Sequence, residues 1–276
     1  MEGEPALTAI DLWMLSRLQS YVADANEAMT ELKVRRTIHA ALYDLNGDLD
    51  WYSKRVSSMR DRAERSNAIN HVLKKVVDTQ VRLLTPFTPH LCEEIWEAMG
   101  GEGFAAFAPW PTPDPGLVKP EAEELEQSIR DSLEDVQKIV KVTGIKPTKI
   151  SFYTAISWKW KIYLRAMELS KEGNLDIGTL IRDAFKDDEM KARAKEVPGF
   201  ARIVVEDVTK TPAAIMERRL AMGQINESNL LEDASSFFGQ EFGCEVTVAN
   251  ESDPWIEDPA NRAKRSKPYR PAIYVE

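Results

Sequence analysis

Cysteine is scarce in this chain: Cys92 and Cys244 are the only two in 276 residues, and they lie far apart. A secreted disulfide scaffold uses more, so a reducing, cytoplasmic setting is expected. Histidine is nearly as sparse, with His39, His71 and His90 scattered along the sequence. His90 and Cys92 stand two apart, but no second ligand pair accompanies them, which argues against a structural zinc site. Thirteen Gly and fifteen Pro are too few for a low-complexity chain. No stretch approaches the run of about 18 uncharged apolar residues that a membrane-spanning helix needs. The acidic start, MEGEPALTAID, has no apolar run and does not read as a secretory signal.

Motifs for reaction chemistry are missing too. There is no G-x-x-x-x-G-K-[ST] loop, no G-x-G-x-x-G after a strand and no G-x-S-x-G elbow. Gly100-Gly101-Glu102-Gly103 follows a helical pattern and reads as its stop. His90, Glu93 and Glu94 share one helical first turn, where acids suit the helix dipole and a lone histidine caps or packs. Asp187-Asp188 reads as solvated loop charge. No catalytic, cofactor-binding or metal-ligating residue is therefore expected in this chain.

What is present is ordinary globular composition, 43% hydrophobic and 29% charged, over a length comfortable for two domains. Ile10, Met14, Leu18, Tyr21, Val22, Ala25, Met29 and Leu32 recur at helical spacing behind Thr8, a candidate N-cap. A second helix is expected from Val34 through Leu49, a third through Ile69–Leu84, and a fourth from Pro89 to Met99 after the TPFT break. Five prolines between residues 102 and 120 mark an extended connector, followed by a helix over 121–142. The second half begins with a strand, KISFYTA from Lys149. Helical patterns follow over 157–171, 177–185, 190–197, 212–222 and 227–242, with Pro198-Gly199 as a stop. Cys244–Ala249 and the final residues give two more strands. The expected fold class is α+β, mostly helical: an N-terminal helical bundle over 1–118, a linker helix over 119–147, and a small α+β C-terminal domain over 148–276.

The net charge of −9 hides an asymmetry. Between Lys33 and Lys75 ten bases face five acids, and between Pro259 and Glu276 five bases face one acid. Acids collect elsewhere, at Glu121, Glu123, Glu124, Glu126, Asp131, Glu134 and Asp135. Two basic surfaces on an acidic chain point toward a nucleic-acid partner, against the simpler reading of solvated helix faces.

Specific stretches carry a family resemblance. Leu83–Trp96, LLTPFTPHLCEEIW, resembles a segment of class I aminoacyl-tRNA synthetases of the leucyl, isoleucyl and valyl group, and Trp110-Pro111 resembles the short connector after it. DLWMLSRLQ, from Asp11 to Gln19, looks like the first helix of that group's helical anticodon-binding domain. HAALYDLNGDLDWY, from His39 to Tyr52, most resembles the archaeal and eukaryotic leucyl enzymes. KPYRPAIYVE, from Lys267 to Glu276, is similar to the C-terminal end of the archaeal leucyl enzymes.

The resemblance implies a tRNA-holding C-terminal region of an archaeal-type leucyl enzyme. The helical domain would hold the tRNA body, and the C-terminal domain would reach the long variable arm of leucine tRNA. A valyl or isoleucyl enzyme, or a detached module docking proteins through the acidic helix, are the alternatives. The family's HIGH-like motif is absent. The only KMSKS-like stretch, Lys264-Arg265-Ser266-Lys267-Pro268, stands too late and reads as a basic surface loop. ATP with magnesium thus belongs to a catalytic domain outside this chain, and the chain alone is expected to be inactive as a ligase. The implied partners are tRNA and that catalytic domain, with no membrane and a monomeric state. The tRNA-binding candidates are Arg35, Arg36, Lys54, Arg55, Arg60, Arg62, Lys74 and Lys75, then Arg262, Lys264, Arg265, Lys267, Tyr269, Arg270 and Tyr274. Trp255 flanks the second window as a further stacking candidate, while Trp13, Trp51 and Trp96 lie on apolar stripes and read as core.

Overall fold

The computed structural model describes residues 5–59 and 63–276. The chain divides into two compact units, Met1–Glu126 and Gln127–Glu276.

Among its described residues the first unit is built of helices, with no strand. Helix α1 (Ala9–Thr30) starts at Thr8, whose N–H and hydroxyl donate to the Asp11 carboxylate at 2.8 and 2.9 Å. Its 3.6-residue period buries Met14, Leu18, Val22 and Ala25. Leu32 does not extend that stripe: the helix has ended, and Leu32 is exposed with φ of +56°. The chain re-enters at α2 (Val34–Ile38), passes through a π-helical turn (His39–Asp44) and continues as α3 (Leu45–Val56). The extra residue in that wide turn shifts the apolar register. Ala41 and Leu45 face the core, Leu42 and Leu49 are only half-buried, and Tyr43 points outward.

Helix α4 (Ala63–Leu84) and helix α5 (Pro89–Ala98) flank the TPFT break, with Pro89 at the first helical position as its missing N–H allows. At Gly101 a Cβ would come within 2.3 Å of the Trp96 indole, so only glycine fits there. The proline-rich stretch is not a free connector. Its backbone is strapped to α1: Asn26 donates to the Pro111 carbonyl at 3.1 Å, Gln19 accepts from Asp114 N–H and Ser16 from Lys119 N–H, both at 2.8 Å. The core gathers Trp13, Met14, Leu18, Tyr52, Val56, Ile69 and Val76, with Ala122 from the start of α6 (Pro120–Thr143).

The second unit begins within α6 and holds a three-stranded sheet among the described residues. Its strands are β1 (Lys149–Thr154), β2 (Glu245–Asn250) and β3 (Ala272–Val275), in the order β2-β1-β3. β1 and β2 run parallel, from Lys149↔Glu245 to Thr154↔Asn250, while β3 pairs antiparallel with β1. Parallel neighbours need a long crossover. Here it is a string of helices: α7 (Ser157–Lys171), α8 (Ile177–Ala184), α9 (Asp188–Ala192), α10 (Val197–Lys210), α11 (Ala213–Met222), α12 (Glu227–Asp233) and α13 (Ser235–Phe242). Pro198-Gly199 does not stop a helix, as the sequence suggested; it lies in the first turn of α10, where proline is equally at home. The expected single helix over 227–242 is broken at Ala234.

The core of this unit collects Trp158, Trp160, Tyr163, Met167, Phe200, Val204 and Val208. Phe152 meets Phe238 across a sheet face at 4.8 Å between ring centres. Among the described residues no helix is long and apolar enough to cross a membrane.

Candidate nucleic-acid interface

The first basic window is only partly a surface. Arg35, Lys54, Lys74 and Lys75 are exposed. Arg36 is half-exposed and engaged by the carboxylates of Asp24 and Glu27 on α1, the latter at 2.6 Å. Arg55 corrects the sequence expectation: it is 5% exposed and donates to Glu126 at 2.7 Å, inside the unit rather than on it. Arg60 and Arg62 lie outside the described residues. A neighbouring arginine, Arg65, also turns inward and makes a two-pronged contact with the buried Asp11 at 2.7 and 3.1 Å. These four exposed cations are spread over three helices, α2, α3 and α4.

The second window is a built site. The chain after β2 turns at Asp253–Trp255 and returns through a short 3₁₀ turn, Ala263–Arg265, into β3. Its path is held through main-chain atoms. The Asp258 carboxylate accepts the N–H groups of Arg262 and Ala263 at 2.7 and 2.8 Å. From beneath, Lys159 of α7, 2% exposed, donates to the carbonyls of Lys264 and Ser266, both at 2.8 Å. Lys159 also pairs with Glu251 at 2.7 Å; burial holds its amine below the usual lysine value in spite of that partner. At the far end of the loop, Glu227 accepts Tyr269 N–H at 2.6 Å and Ala155 N–H at 3.3 Å.

This support aims a groove of about 310 Å³ at solvent, between the loop, β3 and α6. Five cations line it, Lys138, Arg262, Arg265, Lys267 and Arg270, against one acid, Asp135. Asp135 orients Arg270 by a two-pronged contact at 3.0 and 3.2 Å, and Lys267 is engaged by Asp207 of α10. Lys264 is exposed on the same 3₁₀ turn. Closely spaced guanidinium groups on one loop suit phosphate oxygens, which take paired donors.

The aromatic candidates separate sharply. Tyr269 corrects the expectation of a stacking surface: it is 4% exposed, has φ of +61°, and its ring packs 5.1 Å from Trp160 with the Arg219 guanidinium 4.1 Å away. Tyr274 is half-buried beside Tyr153. Trp255, by contrast, is 91% exposed at the turn that opens the basic segment. His90 is exposed at the α5 start, and Glu93 accepts the N–H groups of Ala105 and Ala106 at 2.8 and 3.0 Å, a structural use.

Sequence reasoning missed Lys138, hidden in an acidic helix, and the internal supports Lys159, Glu227, Glu251 and Asp258. The one signal for Lys159 was its place between Trp158 and Trp160: a lysine flanked by two core aromatics must either snorkel or find acceptors inside.

The sequence also has identifiable relatives. The model of the anticodon-binding domain of tRNA ligases matches residues 11–152. A leucine–tRNA ligase of Methanococcoides burtonii is 39% identical over 275 residues, covering 98% of this chain and 27% of that protein. Those of Methanothrix thermoacetophila and Pyrococcus horikoshii are 34% and 35% identical, covering 98% and 100% of this chain and 26% of each relative. The chain thus spans about a quarter of the length of the curated relatives it matches.

Proposed function

This chain belongs to the tRNA-ligase family that carries the anticodon-binding domain, and on that premise we propose that it is the tRNA-holding C-terminal region of a leucine–tRNA ligase. The observation that carries the reading is the groove between α6 and the 262–270 loop, where five cations stand over buried supports. Phosphate contacts fix position on an RNA backbone and carry little identity; identity comes from base edges, stacking and shape. The groove would therefore grip backbone, and the exposed Trp255, earlier in the same segment, would stack an unpaired base. The exposed cations of the first unit, Arg35, Lys54, Lys74 and Lys75, would add a sequence-independent hold on the tRNA body. The sequence resemblance implies that the C-terminal half meets the long variable arm of leucine tRNA. Chemistry on the amino acid, with ATP and magnesium, falls to a catalytic domain outside this chain.

The test is a salt titration of binding to a leucine tRNA transcript and to one with a short variable arm. Occupation of three to five phosphates gives a slope of log affinity against log salt of about −2.7 to −4.5. The leucine tRNA should bind more tightly at every salt concentration. Equal affinity for both transcripts would sink the variable-arm assignment, and no salt-dependent binding to either would sink the tRNA reading.

A further inference from the structure

Glu227 is the least expected acid in the second unit. It opens α12, is 5% exposed, and reaches two backbone N–H groups on different segments. Oε1 accepts from Tyr269, the left-handed residue that closes the groove loop, and Oε2 from Ala155 at the end of β1. One carboxylate therefore ties the loop to the central strand. Around it, Arg219 of α11 is the charged group that acts on it; that guanidinium lies over the Tyr269 ring and donates to the Tyr163 hydroxyl at 2.7 Å. Of the other charged groups on these elements, Lys159 of α7 pairs with Glu251, and Lys267 of the loop pairs with Asp207. A polar cavity of about 420 Å³, walled by Thr154, Asn226, Ser228 and Asn250, opens beside the carboxylate and gives a proton a route to it.

We propose that Glu227 is the positioning residue of the RNA-binding loop, and that gain or loss of its proton shifts the loop between docked and loosened states, so that pH tunes RNA affinity. The RNA half of this statement rests on the function proposed above; the loop half does not.

Burial pushes the Glu227 carboxyl up to about 7, although the N–H groups of Tyr269 and Ala155 favour its charged form. A loosened loop would expose the carboxyl and return it toward 4.5. The docked state thus holds a proton that the loosened state releases. Raising pH through about 7 charges an enclosed group and favours loosening. Falling pH restores docking.

The test follows the amides of Tyr269 and Ala155 by nitrogen–proton NMR between about pH 5.5 and about pH 8.5, in the wild-type chain and in Glu227→Gln. The expected result is a shared titration of both amides with a midpoint near 7, and faster intrinsic-corrected hydrogen exchange at Tyr269 above it. Both effects should vanish in Glu227→Gln, an uncharged side chain of the same shape. Amides that do not titrate, or that titrate equally in the variant, overturn the latch; if the variant does not fold, the wild-type titration decides alone. In parallel, wild-type affinity for leucine tRNA should fall by up to about tenfold per pH unit as pH rises toward the midpoint and level off above it, while the variant's should stay flat. Titrating amides with the same pH profile of binding in both proteins would overturn the coupling to RNA. Titrating amides with no tRNA binding at any pH would leave the latch standing and overturn the functional reading instead.

Discussion

Arg55 and Glu126 meet at 2.7 Å with only 5% and 4% of their side chains exposed, across 71 positions of sequence. The Trp51 indole donates to the same carboxylate oxygen at 2.8 Å. Removing one partner of such a pair leaves an enclosed charge, which costs about 3–5 kcal/mol, while replacing both by apolar residues is far milder. Arg55→Ala should therefore lower the urea midpoint strongly, and Arg55→Met with Glu126→Leu should recover most of the loss. A single variant as stable as wild type would show that the pair is solvated. Per folded molecule, tRNA affinity should not change.

Asp11 makes the first unit acid-sensitive. Burial alone would raise its pKa, but hydrogen bonds from Arg65, the Thr8 N–H and hydroxyl, and Tyr52 hold it below the ordinary 3.8. A depressed carboxyl stabilises above its unfolded value, and that stability is lost as pH falls through the folded value. The wild-type melting temperature should drop steeply below about pH 4, and Asp11→Asn should be less stable at neutral pH with a shallower acid slope. Parallel pH profiles for the two proteins would refute the assignment.

The groove cations give a graded result. Arg262→Ala and Arg265→Ala should each reduce the salt slope of tRNA binding by about one unit. Lys54→Ala, in the other unit, should weaken leucine and short-arm tRNAs alike. Unchanged slopes for both arginine variants would move the RNA off this groove. Deleting the tail whole is a poorer experiment, because Lys159 and Glu227 would lose their loop partners and the unit would be destabilised as well.

Trp255→Ala should weaken binding of the matching RNA by about 1–3 kcal/mol with no change in melting temperature, since a ring 91% exposed carries no core packing. A binding loss that also appears as a lower melting temperature would make it a packing residue instead.

Much of the fold was legible because apolar periodicity writes it directly. β1 was expected from Lys149 and runs from Lys149 to Thr154; α7 was expected at 157–171 and spans Ser157–Lys171. Pro198-Gly199 misled because proline is as common at a helix start as after an end, and only the residues packed on Phe200 and Val204 decide between them. The site was legible as charge count and not as direction. Lys54 and Arg55 are adjacent, yet one is exposed and the other enclosed, and the partner that turns Arg55 inward is far along the chain. Tyr269 looked like a stacking ring in the sequence; a left-handed backbone and an aromatic cluster, neither visible there, put it inside.

Five of the contacts that hold the groove loop go to its main chain: Asp258 takes two N–H groups, Lys159 gives to two carbonyls, and Glu227 takes a third N–H. None of these contacts depends on what side chain the loop residue bears. The outward arginines and lysines can accordingly be exchanged while the path beneath them stays the same. Shape and reading are encoded in different residues, the first in two acids and a buried lysine, the second in a handful of surface positions. A loop of that kind can drift toward a different RNA partner one side chain at a time without refolding, and the same property makes it a ready frame for engineered changes of tRNA preference.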